Sequence, residues 1–495
     1  MMRSPWRLIA SSSVAYDFDL IVVGGGPAGE KGAVQAAYFG KKVAIIEREA
    51  EPGGAAVHTG TLPSKTLRET ALFLSGYRQR ELYGVTVNVN PEIAVPRLLS
   101  RKNAVRDLEV ARIHWNLERH GVQLVRGVAR FIDAHTVEVT ALGAAPVRMT
   151  GECFLVATGS TPFHPANIPF EDEDVDDSDT ILTIDRLPKT LTILGAGVIG
   201  CEYATMFAAM HVKVTLVDGR DRLLPFLDLE MGERLRGAMN SLGILFQTNA
   251  TTRSVVRVPG RGVVCTLEDG TEIASEKLLF AAGRSGRTAE LRLGDVGVVT
   301  DKRGNIVVDE DYKTQAPNIY AAGDVIGFPA LASTSMEQAR VAVCHAFGFT
   351  YKRQMSHLLP YGIYTIPEVS CVGLSEQMAK EQGIDAFVGR AFYRDNARGK
   401  IIGDKDGVIK LLFDRATRKR LGCHCMGDRA SELVHIGQAM IMLGGTVDTL
   451  IEMVPNYPTL SEMFKYAAYD ALGALGRTSP AAPPAAPPAM QGVPT

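Results

Sequence analysis

Glycines spaced for close backbone approach to a phosphate occur twice in this chain. In Asp19-Leu20-Ile21-Val22-Val23-Gly24-Gly25-Gly26-Pro27-Ala28-Gly29 the triplet is Gly24, Gly26 and Gly29; in Leu191-Thr192-Ile193-Leu194-Gly195-Ala196-Gly197-Val198-Ile199-Gly200 it is Gly195, Gly197 and Gly200. In each triplet the first glycine permits a tight turn and the second lets the backbone reach a pyrophosphate. The third lets the following helix pack closely on the strand. The positive N-terminus of that helix then stabilises phosphate charge. Each loop is followed, after a second apolar strand, by an acid placed to accept from ribose hydroxyls: Glu47 for the first and Asp218 for the second. Arg220 and Arg222 follow Asp218 closely, and guanidinium forks suit a 2′-phosphate. The second loop therefore reads as a site for both NAD and NADP; the alternative, that the two arginines are surface charges, stays open.

The elements that must position these groups are legible as pattern. Residues 18–48 read as strand, glycine turn, helix and strand, and residues 63–120 as helical. Short strands follow over 122–156, ending in Phe154-Leu155-Val156-Ala157-Thr158-Gly159. The acidic run Glu171 to Asp179 reads as a solvated connector. Residues 185–282 repeat the βαβ logic. The stretch 283–355 opens on Gly283-Arg284 and carries Tyr320-Ala321-Ala322-Gly323-Asp324 before a helix. Strands and helices alternate from about 358 to about 473, and a Pro/Ala-rich tail follows that is too poor in large apolar residues to form a core.

At 495 residues the chain exceeds a single core and predicts about three or four domains. With 46% hydrophobic and 22% charged residues it has the composition of a soluble globular protein. A net charge of −2 gives no reason to expect a nucleic-acid or membrane partner, and no apolar run is long enough to span a bilayer. Seven scattered cysteines argue against a disulfide framework and for a cytoplasmic location. Cys423-His424-Cys425 has the wrong spacing for a zinc clip and reads as buried strand, so no metal is expected. Met1 to Ala15 reads as a leader without a targeting signal.

Taken in order, Gly24 to Gly29, Gly53-Gly54, Pro63-Ser64-Lys65, Ala157-Thr158-Gly159, Gly195 to Gly200 with Glu202, and Ala322-Gly323-Asp324 resemble the flavin-dependent pyridine nucleotide–disulfide oxidoreductases over about residues 18 to 473. The resemblance implies an α/β protein with two Rossmann-like dinucleotide-binding domains, for FAD and NAD(P), and a C-terminal α+β dimerisation domain forming a homodimer. The implied boundaries are a leader over 1–17, an FAD domain over 18–160 and 283–357, and an NAD(P) domain over 161–282. A dimerisation domain over 358–475 and a disordered tail over 476–495 complete the division. Carried over by position, FAD would be bound by Gly24, Gly26, Gly29, Glu47, Gly53, Gly54, Thr158, Gly159, Gly323, Asp324 and the helix opening at Ala332. NAD(P) would be bound by Gly195, Gly197, Gly200, Glu202, Asp218, Arg220, Arg222 and Gly283. Lys65, beside the flavin and paired with Glu202, would be the catalytic pair.

The departures decide the expected chemistry. Where the disulfide members carry two cysteines, this chain has Ala56 and Thr61, and Tyr457 stands in place of their C-terminal acid/base histidine. No disulfide relay can form, and a tyrosine is a poor base at neutral pH. Within the family, His58 with Gly60 to Lys65, Arg220 to Leu224, Phe328 to Ser333, Gly362 to Glu368 and Asn456 to Thr459 are similar to the flavin-containing, Si-specific NAD(P)+ transhydrogenases. That implies reversible hydride transfer from NADPH through FAD to NAD. Two alternatives use the same residues: a diaphorase passing electrons to a quinone or oxygen, and a flavin-binding sensor that has lost turnover.

Overall fold

The computed structural model describes residues 16–77, 80–84, 91–141 and 143–478; of the expected leader (1–17) and tail (476–495), residues 1–15 and 479–495 lie outside the described residues. Contacts divide the described chain into two units, one of residues 16–71, 91–195 and 252–357, the other of 72–77, 80–84, 196–251 and 358–478.

The first unit is built on a parallel sheet. Its strands run in the order Gln123–Arg126, Val43–Glu47, Phe18–Val23, Val147–Val156 and Ile319–Ala321. The runs FDLIVV and VAIIE are short, apolar and rich in β-branched residues, as a sheet covered on both faces requires. Alternation splits them between two cores: Leu20 and Val22 pack with Ala33, Val43 and Val343, while Ile21 and Val23 pack with Ile46, Phe131 and Phe154. Helix Pro27–Tyr38 connects the first two strands and packs against helix Ala332–Phe347. The near half of Val147–Val156 pairs antiparallel with Thr136–Thr140, which pairs with Val128–Asp133. The long helix Pro91–Arg119 lies between these strands and the glycine pair in sequence.

The acidic run is not a solvated connector. Val175–Asp177 is a fully buried strand, parallel to Lys277–Phe280, which is in turn parallel to Thr190–Leu194. The charges on and just before it are matched largely from distant sequence: Lys277 Nζ stands 3.1 Å from Asp174 and 3.5 Å from Asp176, and Arg257 pairs with Asp174, as does the nearer Arg186. Beside it, Ser160–Pro162 and Arg284–Gly286 form a two-stranded antiparallel ribbon.

In the second unit, helix Val198–Ala209, strand Lys213–Val217, helix Leu229–Ser241 and strand Leu245–Gln247 follow one another, the two strands pairing in parallel. An antiparallel sheet runs in the order Tyr361–Ile363, Val369–Gly373, Arg420–Met426, Val408–Asp414 and Ala386–Phe392. Helices Ala430–Met442 and Met463–Thr478 bury one face of it around Leu411, Phe413, Cys423, Cys425 and Phe464. Cys423 and Cys425 point into that core, as a strand requires, and all seven cysteines are buried and free of disulfides. On the opposite face the fully buried Lys410 bridges Asp228, the N-cap of helix Leu229–Ser241, at 2.7 Å, Glu230 at 3.1 Å, and Glu376.

Candidate active site

A cavity of about 1320 Å³ opens in the first unit above the C-terminal ends of its parallel strands. The first glycine loop forms its floor. Gly24 has φ +105°, and a Cβ there would stand 2.4 Å from the Ala157 carbonyl oxygen, so only glycine fits. Gly26 caps helix Pro27–Tyr38, and a Cβ on Gly29 would meet the Gly24 oxygen at 1.9 Å. Glu47 ends the second strand almost fully buried; its Oε2 accepts from the Gly25 amide at 2.7 Å and its Oε1 from the Glu49 amide at 2.9 Å. Gly54 crosses Gly26 so closely that a Cβ on it would lie 2.8 Å from the Gly26 Cα.

The cavity wall also includes Ala56, His58, Thr61, Thr158, Gly159, Gly323, Asp324 and Ala332, the first residue of helix Ala332–Phe347. The two positions where cysteines are replaced thus both face this space. His58 lines it while its Nε2 bonds the Pro52 carbonyl oxygen at 3.0 Å, so it serves the turn and the wall together. Among the residues expected at this site, Gly29, Gly53 and Lys65 are not on the wall; Lys65 is partly buried, with Nζ 3.4 Å from Ser64 Oγ.

The donor set fits FAD. Thr158 Oγ1 is a buried hydroxyl with no hydrogen-bond partner among the described residues, although it stands on the cavity wall. Such a group calls for a polar partner. The glycine floor leaves room for a pyrophosphate at a helix N-terminus, Glu47 offers an acceptor at one part of the wall, and Asp324 another. Sequence reasoning missed Arg106, Asp107, Val110 and His114, which reach the wall from helix Pro91–Arg119. Their helical spacing was the available signal.

The second loop is divided between the units after Gly195. Gly195, at φ +106°, and Gly283, at φ +150°, belong to the first unit, and a Cβ on Gly195 would lie 2.8 Å from the Ala281 carbonyl group. In the second unit Gly197 caps helix Val198–Ala209, which carries Gly200 and Glu202. Asp218, after strand Lys213–Val217, accepts from the Ala196 amide at 2.5 Å. It also takes a two-pronged bond from Arg220: Nε to Oδ1 and Nη2 to Oδ2, each 2.8 Å. Burial works to raise the Asp218 carboxyl, but the bonds from Arg220 and Ala196 bring it below the usual carboxylate range. Arg222 is partly exposed and makes no ion pair with the described residues. Glu202 is nearly buried, and its Oε1 accepts from the Tyr364 amide at 2.9 Å. Tyr457, at the position of the missing histidine, is 73% exposed.

Residues 18–346 match the family model of the pyridine nucleotide-disulphide oxidoreductases, and residues 359–468 match that family's dimerisation domain. The chain belongs to this family. Among its relatives, the proteins named soluble pyridine nucleotide transhydrogenase from Mycobacterium bovis and Mycobacterium tuberculosis are 45% identical over 93% of this chain and 98% of theirs. The one from Chromohalobacter salexigens is 40% identical over 92% and 98%. Solved structures similar to this fold include LpdA from Mycobacterium tuberculosis, with a TM-score of 0.84 and 28% identity over 91% of this chain and 99% of that one. The HOCl-induced flavoprotein disulfide reductase RclA from Escherichia coli has a TM-score of 0.82 and 28% identity over the same shares. Against the disulfide chemistry that gives the family its name, this member has no cysteine at 56 or 61. The family's mixed α/β architecture, with parallel sheets and a dimerisation domain, is the one found here.

Proposed function

We propose that this protein is an FAD-dependent, Si-specific NAD(P)+ transhydrogenase that moves hydride reversibly from NADPH to NAD without a disulfide step. The observations that carry this reading are the pairing of Asp218 with Arg220 in one nucleotide loop and a flavin cavity whose wall has Ala56 and Thr61 where a dithiol would stand. The names of the relatives agree with it. The family match makes the protein a flavoprotein oxidoreductase using FAD and NAD(P), and the dimerisation domain makes it a homodimer.

Bound FAD supplies a two-electron relay that accepts hydride from one nicotinamide and returns it to another. The chain's part is binding, orientation and exclusion of water. Gly24, Gly26 and Gly29 with helix Pro27–Tyr38, and Gly53-Gly54 crossing them, hold the pyrophosphate side. Glu47 takes the adenosine ribose; Thr158, Gly159, Gly323 and Asp324 take the flavin side. Helix Ala332–Phe347 directs its positive end there and stabilises negative charge. For NAD(P), Gly195, Gly197, Gly200 and Gly283 shape the backbone. Asp218 accepts from a free 2′-hydroxyl, while Arg220 and Arg222 answer a 2′-phosphate. Lys65 and Glu202 are the residues assigned to the hydride step.

We assign residues 18–160 and 283–357 to FAD binding, 161–282 to NAD(P) binding and 358–475 to dimerisation. No helix among the described residues is long and apolar enough to cross a membrane. Seven cysteines free of disulfides favour the cytoplasm.

Anaerobic stopped-flow tests the assignment. NADPH bleaches the flavin band, and NAD added afterwards restores it with formation of NADH. In Lys65→Ala the bleaching slows at least about tenfold; an unchanged rate removes Lys65 from the hydride step.

A further inference from the structure

Asp324 faces the cavity, yet its surroundings are fixed from the far side of the wall. Its Oδ2 accepts from Ser160 Oγ at 3.3 Å. Ser160 is itself held by Arg284, whose Nε donates to the Ser160 hydroxyl oxygen at 2.9 Å and whose Nη2 donates to the Ser160 carbonyl oxygen at 3.0 Å. With its oxygen occupied by Nε–H, the Ser160 hydroxyl proton is free to point at Asp324. The remaining nitrogen, Nη1, donates to Ser178 Oγ at 2.9 Å and to Asp179 Oδ1 at 3.2 Å. Asp179 is anchored in turn, its amide donating to Asp177 Oδ1 at 2.7 Å, while Asp177 Oδ2 bonds His164 Nε2 at 2.7 Å. A continuous polar chain thus runs from the buried acidic strand to the cavity, all of it within the first unit.

We propose that Ser160 and Arg284 are positioning residues for the flavin cofactor, holding the Asp324 carboxylate charged and turned into the cavity. The inference rests on the reading of Asp324 as an FAD contact. Burial pushes the Asp324 carboxyl above the usual range; the Arg284 charge and the Ser160 hydroxyl act against that rise. The other groups around this segment, Ala28, Ser335 and Gln338, are uncharged. The cavity wall also carries Glu47, Arg48, Glu49, Glu51, Arg106, Asp107, His114, Arg287 and Glu290, and of the charged groups it is Arg284 that acts on the Asp324 carboxyl. Asp324 loses its charge as pH falls through its raised pKa, and removing Arg284 moves that loss to higher pH.

The test is the rate of FAD release from the holoprotein, read by the fluorescence of freed flavin at about pH 6 and about pH 8. Arg284→Gln is expected to release FAD roughly tenfold faster than the parent at the lower pH, with little change at the higher. Arg284→Lys, which keeps the charge, recovers most of the difference. Ser160→Ala shifts release in the same direction and carries the test if Arg284→Gln does not fold. Equal acceleration at both pH values, or none, overturns the proposal. Asp324→Asn tests the reading beneath it: fast release at both pH values supports the FAD contact, and release like the parent's removes it whatever Arg284 does.

Discussion

Replacing Arg220 by Ala separates the two nucleotides. Arg220 spends two of its five N–H donors on Asp218, through Nε and Nη2, and leaves three for a ligand. A 2′-phosphate brings about −1.5 to −2 charges to a site whose nearest acid is ionised, so the guanidinium both neutralises Asp218 and donates to the phosphate. A charge-assisted hydrogen bond contributes about 1.5–3 kcal/mol. The Arg220 side chain is 49% exposed, so solvent screening favours the lower end. The expected loss is about 1.5 kcal/mol, roughly tenfold in the dissociation constant of NADP. NAD, which offers Asp218 only a hydroxyl, changes by less than about threefold, because its partner carboxylate remains. The assay is equilibrium titration of each oxidised nucleotide by quenching of flavin fluorescence, with parent and variant at the same ionic strength. Equal weakening of both nucleotides, or NADP binding that does not change, refutes the reasoning.

Other substitutions probe the rest of the account. Thr158→Val removes a hydroxyl that has no partner among the described residues; the melting temperature of the apoprotein holds, while FAD affinity falls about fivefold, the worth of one hydrogen bond of about 1 kcal/mol. Gly24→Ala places a Cβ 2.4 Å from a backbone oxygen at φ +105°, and the purified protein should be colourless for lack of flavin. Lys410→Met strands Asp228 and Glu230 without their buried cation, costing about 3–5 kcal/mol in thermal or urea unfolding at neutral pH. Burial raises the Asp228 carboxyl, but Lys410 and its other partners bring it net below the usual range. Its contribution is therefore present above the ordinary carboxylate pKa of about 4 and lost as pH falls through the lower folded value, so the gap between parent and variant narrows in acid.

The glycine loops were legible in part because their backbone leaves no alternative at Gly24, Gly29 and Gly195, where a positive φ at Gly24 and Gly195 and contacts that no Cβ could survive impose glycine; Gly26 and Gly197 meet no such contact, and there the spacing itself was the signal. Glu47 and Asp218 were legible by position, Glu47 ending a short apolar strand and Asp218 directly following one. The acidic stretch misled because local sequence cannot show what neutralises a charge. Asp174 is paired with Lys277, Arg186 and Arg257 and Asp176 with Lys277, which is about a hundred residues away, and without these partners the run has the pattern of a solvated loop. That stretch anchors Arg284, so the polar chain to Asp324 was hidden with it. The mutual engagement of Asp218 and Arg220 was also beyond the sequence, which left the arginine open as a surface charge.

The central claim is that electrons leave the flavin to a second nucleotide and not to sulfur or a small acceptor. Steady-state turnover of the purified yellow protein with NADPH and thio-NAD, beside parallel reactions with menadione, dihydrolipoamide and NAD together, and air-saturated buffer, tests it directly. Fast reduction of thio-NAD with slow quinone, oxygen and dithiol reactions is the predicted result. Fast quinone reduction without nucleotide exchange would contradict it and make the protein a diaphorase; bound flavin with no turnover toward any acceptor would contradict it in favour of a sensor.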